Sequence, residues 1–364
     1  MAGFSKEELA RYNRHILIPN FGMKAQQKLK DAKVLVVGAG GLGSPLLLYL
    51  AAAGVGTIGI VDFDLVDESN LHRQVLFSVN DVGKPKAEAA VSNLAKQNPH
   101  IKLVAHNTKL TSANALDIMR PYDVIADGTD NFPTRYLVND ACVLLGKPNV
   151  YASVFRFEGQ VSVFNYNNGP NYRDLYPTPP PPGAIPDCAE GGVLGVLPGI
   201  IGSLQALEVI KLVTGVGETL AGKFYVFDAL SFSGRAFSIT KTNVEIKELI
   251  DYEVFCGITT NQQSMKEITV RQLREWQESG KEFQLIDVRE PKEYDEANIG
   301  AELIPLGTVT SNTDKIRKDI DVVVHCRSGV RSANAIKELE KLGYNNLYNL
   351  KGGILAYMEE TGKK

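Results

Sequence analysis

The 364-residue chain carries 39 lysines and arginines against 42 aspartates and glutamates, a formal charge of −3, with 44% hydrophobic and 22% charged residues. That balance is ordinary for a folded globular protein and excludes extensive disorder; the lack of a basic block excludes nucleic acid or an anionic membrane as the main partner. The length suits two domains.

In chain order, the opening MAGFSKEELARYNRHILIP has no apolar h-region, and the longest apolar run, VLGVLPGIIGSLQALEVI, is broken by glycine, proline and polar residues. A cytoplasmic protein without a membrane span is expected. Ser5 followed by Glu8 predicts a capped helix over ELARYNRHIL, which carries Arg11 and Arg14. AKVLVVGAGGLGSPLLLYLAAAGVGTIGIVDFD then reads as strand, glycine turn, helix and strand, a βαβ unit. The alternation continues through GKPKAEAAVSNLAKQNP, IKLVAHNTK, YDVIADGTDN, TRYLVNDACVLLG and KPNVYASV. The fold class is therefore α/β: a doubly wound, mostly parallel Rossmann-like sheet.

From Gly159 the strands GQVSVFNY, KFYVFDA and RAFSITK, with the helix GSLQALEVIKLVTG among them, predict an antiparallel extension. Between them lies PTPPPPGAIPDCAEGGVLG (177–195), which can be neither a helix interior nor a central strand and yet holds Cys188. A mobile crossover loop is expected there. The polar GITTNQQSMKE marks a linker, which sets the expected organisation at 1–257, a linker at 258–265, and 266–364. The last segment resumes βα alternation and predicts a second, smaller α/β domain. The four cysteines, Cys142, Cys188, Cys256 and Cys326, form no C-x-x-C pair, so reduced thiols are expected.

Gly38, Gly40 and Gly43 form G-x-G-x-x-G between a strand and a helix, where backbone N–H groups and the helix N-terminus meet a phosphate. Alone, the pattern fits NAD or FAD as well as ATP. Asp62 stands at the next strand end, where a carboxylate meets ribose hydroxyls, with Asp64 two residues on. Asn70, Arg73, Gln74 and Lys86 add donors and two cations at the same sheet edge, and Asp130 in DGTDN is a candidate Mg²⁺ ligand. A nicotinamide site needs few charges beyond its pyrophosphate grip, whereas cleavage of a triphosphate needs several as pyrophosphate leaves. A nicotinamide dehydrogenase is the rival reading, and a binding titration of ATP against NAD separates the two.

These segments, RYNRHILIPNFG, GAGGLGSP, VDFDLVDESNLHRQ, GKPKAEAA, DGTDN and RFEGQVSVFNY leading into PPPPGAIPDCAEGGVLGVLPGIIGSLQALE, resemble the MoeB/ThiF family of ubiquitin-activating-enzyme-like adenylyltransferases over roughly residues 5–257. The resemblance implies a homodimer that uses ATP and Mg²⁺ to adenylate the C-terminal glycine carboxylate of a small ubiquitin-like sulfur carrier related to MoaD, ThiS or Urm. It places Gly41 in the nucleotide loop and Asp62 on the ribose. It also places Ser69, Asn70, Leu71, His72, Arg73, Lys86, Asp130 and Asn131 around ATP and Mg²⁺, and Arg14 on the triphosphate of the other subunit. Many family members hold a structural zinc with two C-x-x-C pairs; the corresponding positions here are Asn171, Asp174, Glu253 and Cys256. One thiol among oxygen ligands is a poor structural zinc set, so no zinc is expected, and Tyr172, Tyr252 and Phe255 are the aromatics available to pack there.

Near the C-terminus VVVHCRSGVRSANAIKELEKLG reads as strand, loop and helix. Cys326, cradled by backbone N–H groups beside a helix N-terminus and flanked by Arg327 and Arg331, is a reactive thiol of depressed pKa. LIDVREPKEYDEANIGAELIPL, CRSGVR and YNLKGGILAY resemble the rhodanese sulfurtransferases over roughly 266–364, departing from them at Asn298, where a His is common, and at His325. Related phosphatases place the arginine six positions after the cysteine; Arg331 is five after Cys326, a narrower loop that suits a persulfide. Asp287 and Arg289 are expected to brace this site.

Together the two resemblances imply adenylation of the carrier followed by attack of a Cys326 persulfide, charged by a cysteine desulfurase or thiosulfate, to give a thiocarboxylate. Cys188 then either resolves the acyl disulfide or first accepts the carrier as a thioester. A non-catalytic docking role for the rhodanese-like part is the alternative.

Overall fold

The computed structural model of the chain describes residues 3–180, 192–242, 244–257 and 265–362. It forms two compact units, residues 1–259 and 260–364. Cys188 and all of 258–265 but Met265 lie outside the described residues.

In the first unit β1 (Lys33–Val37), β2 (Thr57–Val61), β3 (Lys102–His106), β4 (Val124–Asp127), β5 (Asn149–Phe155), β6 (Glu158–Phe164), β7 (Lys223–Asp228) and β8 (Ser233–Ser238) make one sheet of order β3-β2-β1-β4-β5-β6-β7-β8. The strands from β3 to β5 are parallel, and β5 to β8 run antiparallel. This is the doubly wound sheet with an antiparallel extension expected above.

The reason is visible along β1. Val34 and Val36 enter one core with Leu46, Leu47 and Leu50 of α3 (Gly43–Ala53) and Leu94 of α4 (Lys86–Gln97). Leu35 and Val37 enter the opposite core with Met119 of α5 (Ala115–Met119) and Leu137, Val138 and Cys142 of α6 (Phe132–Leu145). A strand covered on both faces needs a continuous apolar run, which KVLVV supplies. At the N-terminus the capping box closes α1 (Lys6–Ile16), which is followed by α2 (Gly22–Asp31): the Glu8 N–H donates to Ser5 Oγ at 3.1 Å and the Ser5 N–H to Glu8 Oε2 at 2.8 Å. The helix Leu197–Thr214 is long and apolar enough to cross a bilayer, but its Ala206 and Val209 are packed in the sheet core and Leu197 and Ile201 in a satellite core with Val161.

The end of this unit that carries Asn171, Asp174, Glu253 and Cys256 is held by a buried ion pair and aromatic packing. Arg173 donates from Nε and Nη2 to the buried Asp140 carboxylate at 2.8 and 2.7 Å, and the Tyr252 hydroxyl donates to the same carboxylate at 2.7 Å. The Arg173 guanidinium lies 4.5 Å from the Phe255 ring centre and 5.1 Å from that of Tyr136. Tyr172, Tyr252 and Cys256 are buried in the same core, with Phe255 packed against it. Asp174 accepts from Thr242 N–H at 2.7 Å, and Glu253 pairs with Lys109 at 2.6 Å. Among the described residues no cluster of three or more histidine, cysteine or acidic side chains is arranged to hold a metal.

The second unit is a five-stranded parallel sheet. Its strands β9 (Lys266–Ile268), β10 (Phe283–Asp287), β11 (Glu302–Leu303), β12 (Asp321–His325) and β13 (Leu347–Leu350) lie in the order β11-β10-β12-β13-β9. Val322 and Val324 face one core with Ile286, while Val323 faces another with Ile268, Leu273 and Leu350.

Candidate active sites

β1 delivers the chain into the glycine turn. Gly38 has φ +92°, and a Cβ on Gly43 would lie 2.0 Å from the Gly38 carbonyl oxygen, so neither position admits a side chain. No side chain caps α3; its Ser44 N–H donates to the Gly40 carbonyl at 2.9 Å and Pro45 has no N–H, which leaves the Gly43 N–H and the helix dipole for an anion. Just past β2, Asp62 straps the turn: the Ala39 N–H donates to Oδ2 at 2.8 Å and the Asp64 N–H to Oδ1 at 2.9 Å. Burial raises the Asp62 pKa, opposed by those two N–H groups and by Lys86. Each carboxylate oxygen keeps a further lone pair, which suits two ribose hydroxyls.

A cleft of about 250 Å³ opens over this turn. Gly38, Gly40, Gly41, Asp62, Asp64, Arg73, Gln74, Lys86, Asp130 and Asn131 line it. Lys86 is only 5% exposed, with its ammonium 3.0 Å from Asp64 Oδ2. Lys86 also lies within electrostatic reach of Asp62, and at the cleft its buried ammonium can pair with phosphate charge as well. Arg73 is aimed by its neighbours: Nη2 donates to Asn70 Oδ1 at 2.9 Å and Nη1 to the Ser69 carbonyl at 3.5 Å, while His72 Nδ1 sits 2.9 Å from that same carbonyl. Ser69, Asn70, Leu71 and His72 thus form the turn that presents Arg73 and do not themselves line the cleft. Gly43 shapes the turn from behind.

On the far side Asp130 is exposed at the cleft and Asn131 caps α6, its Oδ1 accepting the Thr134 N–H at 3.0 Å. The loop that carries them is clamped at Thr129, whose N–H and hydroxyl donate to buried Asp127 Oδ1 at 3.0 and 2.6 Å, and whose carbonyl accepts from Arg135 at 3.2 Å. Asp130, an exposed carboxylate at this cleft, would suit Mg²⁺, which is held by one or two carboxylates together with phosphates and water. Arg14 is exposed on α1 and is not among the lining residues of its own chain.

Sequence reasoning missed Phe63, Thr108, Lys109 and Leu110, which line the same cleft. Lys109 follows β3 as Asp62 follows β2, so the rule that ligands gather at the carboxyl ends of parallel strands would have found it.

In the second unit β12 ends at His325 and the chain turns through the CRSGVR loop into the helix Val330–Lys341. Cys326 is 1% exposed; its Sγ accepts the Gly329 N–H at 3.2 Å and lies 3.5 Å from Ser332 Oγ. Burial opposes the thiolate, but hydrogen bonds from Ser332, Ser328 and Gly329 outweigh it and lower the Cys326 pKa. Asp287 and Arg289 form a buried pair at 2.6 Å, and burial lowers the His325 pKa against the pull of Asp287. Arg331 is joined to Glu293 by two 2.7 Å hydrogen bonds. Asn298, exposed, accepts the Gly300 N–H at 3.2 Å and only shapes its turn.

Residues 12–248 match the ThiF family, and residues 269–360 match the rhodanese-like domain. The chain belongs to the ThiF family. Its relatives include the probable adenylyltransferase/sulfurtransferase MoeZ of Mycobacterium tuberculosis, 51% identical over 373 residues that cover 99% of this chain and 95% of that protein. The sulfur carrier protein adenylyltransferase of Thermus thermophilus is 51% identical over 268 residues, covering 70% of this chain and 99% of that protein. Among solved structures, E. coli MccB shares the fold with a TM-score of 0.57 at 22% identity, over 65% of this chain and 74% of MccB. The ThiF-family match spans every residue of the cleft, and the rhodanese-like match spans the whole Cys326 loop.

Proposed function

We propose that this ThiF-family enzyme adenylates the C-terminal glycine carboxylate of a small ubiquitin-like sulfur carrier with ATP, and that its rhodanese-like unit supplies the sulfur that converts the product to a thiocarboxylate. The observation that carries the reading is the convergence of buried Lys86, oriented Arg73 and the carboxylates of Asp62 and Asp130 over one glycine turn. A carboxylate is a poor electrophile until it is joined to AMP. Joining it requires the triphosphate to lie across the turn while charge builds on departing pyrophosphate.

Asp62 holds the ribose, the glycine turn and the N-terminus of α3 take the phosphates, and Lys86 and Arg73 neutralise the leaving group. Asp130 would hold a Mg²⁺ ion, which would supply further neutralisation of the phosphates. Arg14, exposed on α1, serves the cleft of a second subunit in a homodimer, in the cytoplasm. On the sulfur side the Cys326 thiolate attacks the outer sulfur of a donor, thiosulfate or a persulfide on a cysteine desulfurase. The donor's S–S bond breaks, sulfite or the donor thiolate leaves, and a Cys326 persulfide remains. Its terminal sulfur attacks the activated carbonyl and AMP leaves. Cys188, outside the described residues, then attacks Sγ of Cys326, freeing the thiocarboxylate and leaving a disulfide for a cellular thiol to reduce; in the other order it first holds the carrier as a thioester.

Carrier-dependent exchange of labelled pyrophosphate into ATP tests the first half. The wild-type chain shows exchange, Lys86→Met loses it by about 100-fold or more, and Cys326→Ala keeps it. Full exchange in Lys86→Met would remove the phosphate role assigned to this cleft.

A further inference from the structure

The rhodanese-like unit presents its sulfur site with one cation already spoken for. Both terminal nitrogens of Arg331 donate to the Glu293 carboxylate, at 2.7 Å each. Glu293 is fixed from other directions as well. The Glu290 N–H donates to its Oε2 at 3.2 Å, closing the start of the helix Pro291–Glu296. Arg289 pins that helix from below, donating to the carbonyls of Glu293 at 3.0 Å and Ala297 at 2.6 Å while paired with buried Asp287. A surface ion pair of two loose side chains is worth little, but this one is bidentate and its acidic member is anchored to a buried pair.

The consequence concerns donor charge. The loop itself offers one negative sulfur a set of backbone N–H groups and a helix N-terminus with no side-chain cap. A second negative charge, such as a sulfonate, draws on the loop's guanidinium groups; Arg331 is neutralised where it stands, which leaves exposed Arg327 as the loop's other cation. Resting on the sulfur-transfer reading above, we propose that Glu293 is a specificity-determining residue: by pairing with Arg331 it disfavours dianionic donors such as thiosulfate relative to donors that bring less charge. Glu293 acts through Arg331 and touches no reacting atom.

The experiment compares two donors in the full-length chain, with cyanide as acceptor: thiosulfate, a dianion, and methanethiosulfonate, a monoanion. Glu293→Gln frees Arg331 and lowers KM for thiosulfate by about tenfold or more, with a smaller drop for methanethiosulfonate, because a charge effect scales with the donor's charge. Glu293→Asp, which keeps the carboxylate, stays near the wild-type KM ratio. In the double variant Glu293→Gln with Arg331→Gln, charge neutrality is restored and the ratio returns towards wild type, which separates charge from damage to the fold.

An unchanged KM ratio in Glu293→Gln, or a loss of kcat with both donors and no drop in KM, overturns the inference while leaving the sulfur-transfer reading in place. Wild-type chain that forms no thiocyanate from either donor overturns that reading and the inference with it.

Discussion

Asp62, Lys86 and Glu293 show how far a residue type fixes its own role. Asp62 and Lys86 stand beside a glycine turn whose purpose is readable in the sequence, so their place at the cleft follows from the chain order of strands and helices. Glu293 does not: its partner lies 38 residues away, and only the approach of two elements joins them. The pair has a measurable signature. Arg331 holds the Glu293 carboxyl at about 2 in the fold, against 4.5 for an unperturbed glutamate. A folded pKa below the unfolded one means the ionised form is favoured by folding, so the contribution is complete above the unfolded value and is lost as pH falls towards the folded one. The thermal midpoint of wild-type chain should exceed that of Glu293→Gln by a constant margin above pH about 5 and by a shrinking one between pH about 4.5 and 2. A margin that holds constant down to pH about 2 contradicts the pairing.

At the scale of elements, the β1-to-α3 turn carries the sharpest contrast. A methyl group on Gly43 would sit 2.0 Å from the Gly38 carbonyl oxygen, whereas one on Gly40 meets nothing nearer than Gln74 Nε2 at 3.8 Å and points to the cleft. Gly43→Ala should therefore destabilise the unit by about 1–3 kcal/mol and abolish ATP binding, while Gly40→Ala should keep the thermal midpoint and raise KM for ATP. Equal midpoints for the two variants would show that the turn relaxes in a way this geometry does not allow.

Much of this scale was legible beforehand. Continuous apolar runs such as KVLVV and DVVVH mark strands covered on both faces, and the alternation of strands with helices gives the parallel sheet. The Thr108, Lys109 and Leu110 wall of the cleft was not, because those residues form no motif and reach the site only through the position of β3 beside β2, while Phe63 sits within VDFD but has no polar group to mark it. The packing at the end that carries Asn171, Asp174, Glu253 and Cys256 was not legible either. The Arg173–Asp140–Tyr252 network joins three residues whose side chains meet only once α6 and the segments at 172–175 and 252–255 have packed.

For the whole molecule the question is how two chemistries share a chain. Arg14 is exposed on α1, away from the cleft of its own chain, so its proposed phosphate role requires a second subunit. Mixing inactive Arg14→Ala chains with inactive Lys86→Met chains should restore pyrophosphate exchange, since a mixed dimer holds one complete cleft; no restoration after subunit exchange would place Arg14 outside the reaction. The central claim is that adenylation and sulfur transfer converge on one carrier carboxylate. Its most direct test is the mass of a Gly-Gly-terminated carrier incubated with the chain, ATP, Mg²⁺, thiosulfate and a thiol reductant. The wild-type chain should replace one carrier oxygen by sulfur. Cys326→Ala should leave the carrier mass unchanged while pyrophosphate exchange continues; thiocarboxylate made by Cys326→Ala at the wild-type rate would contradict the account.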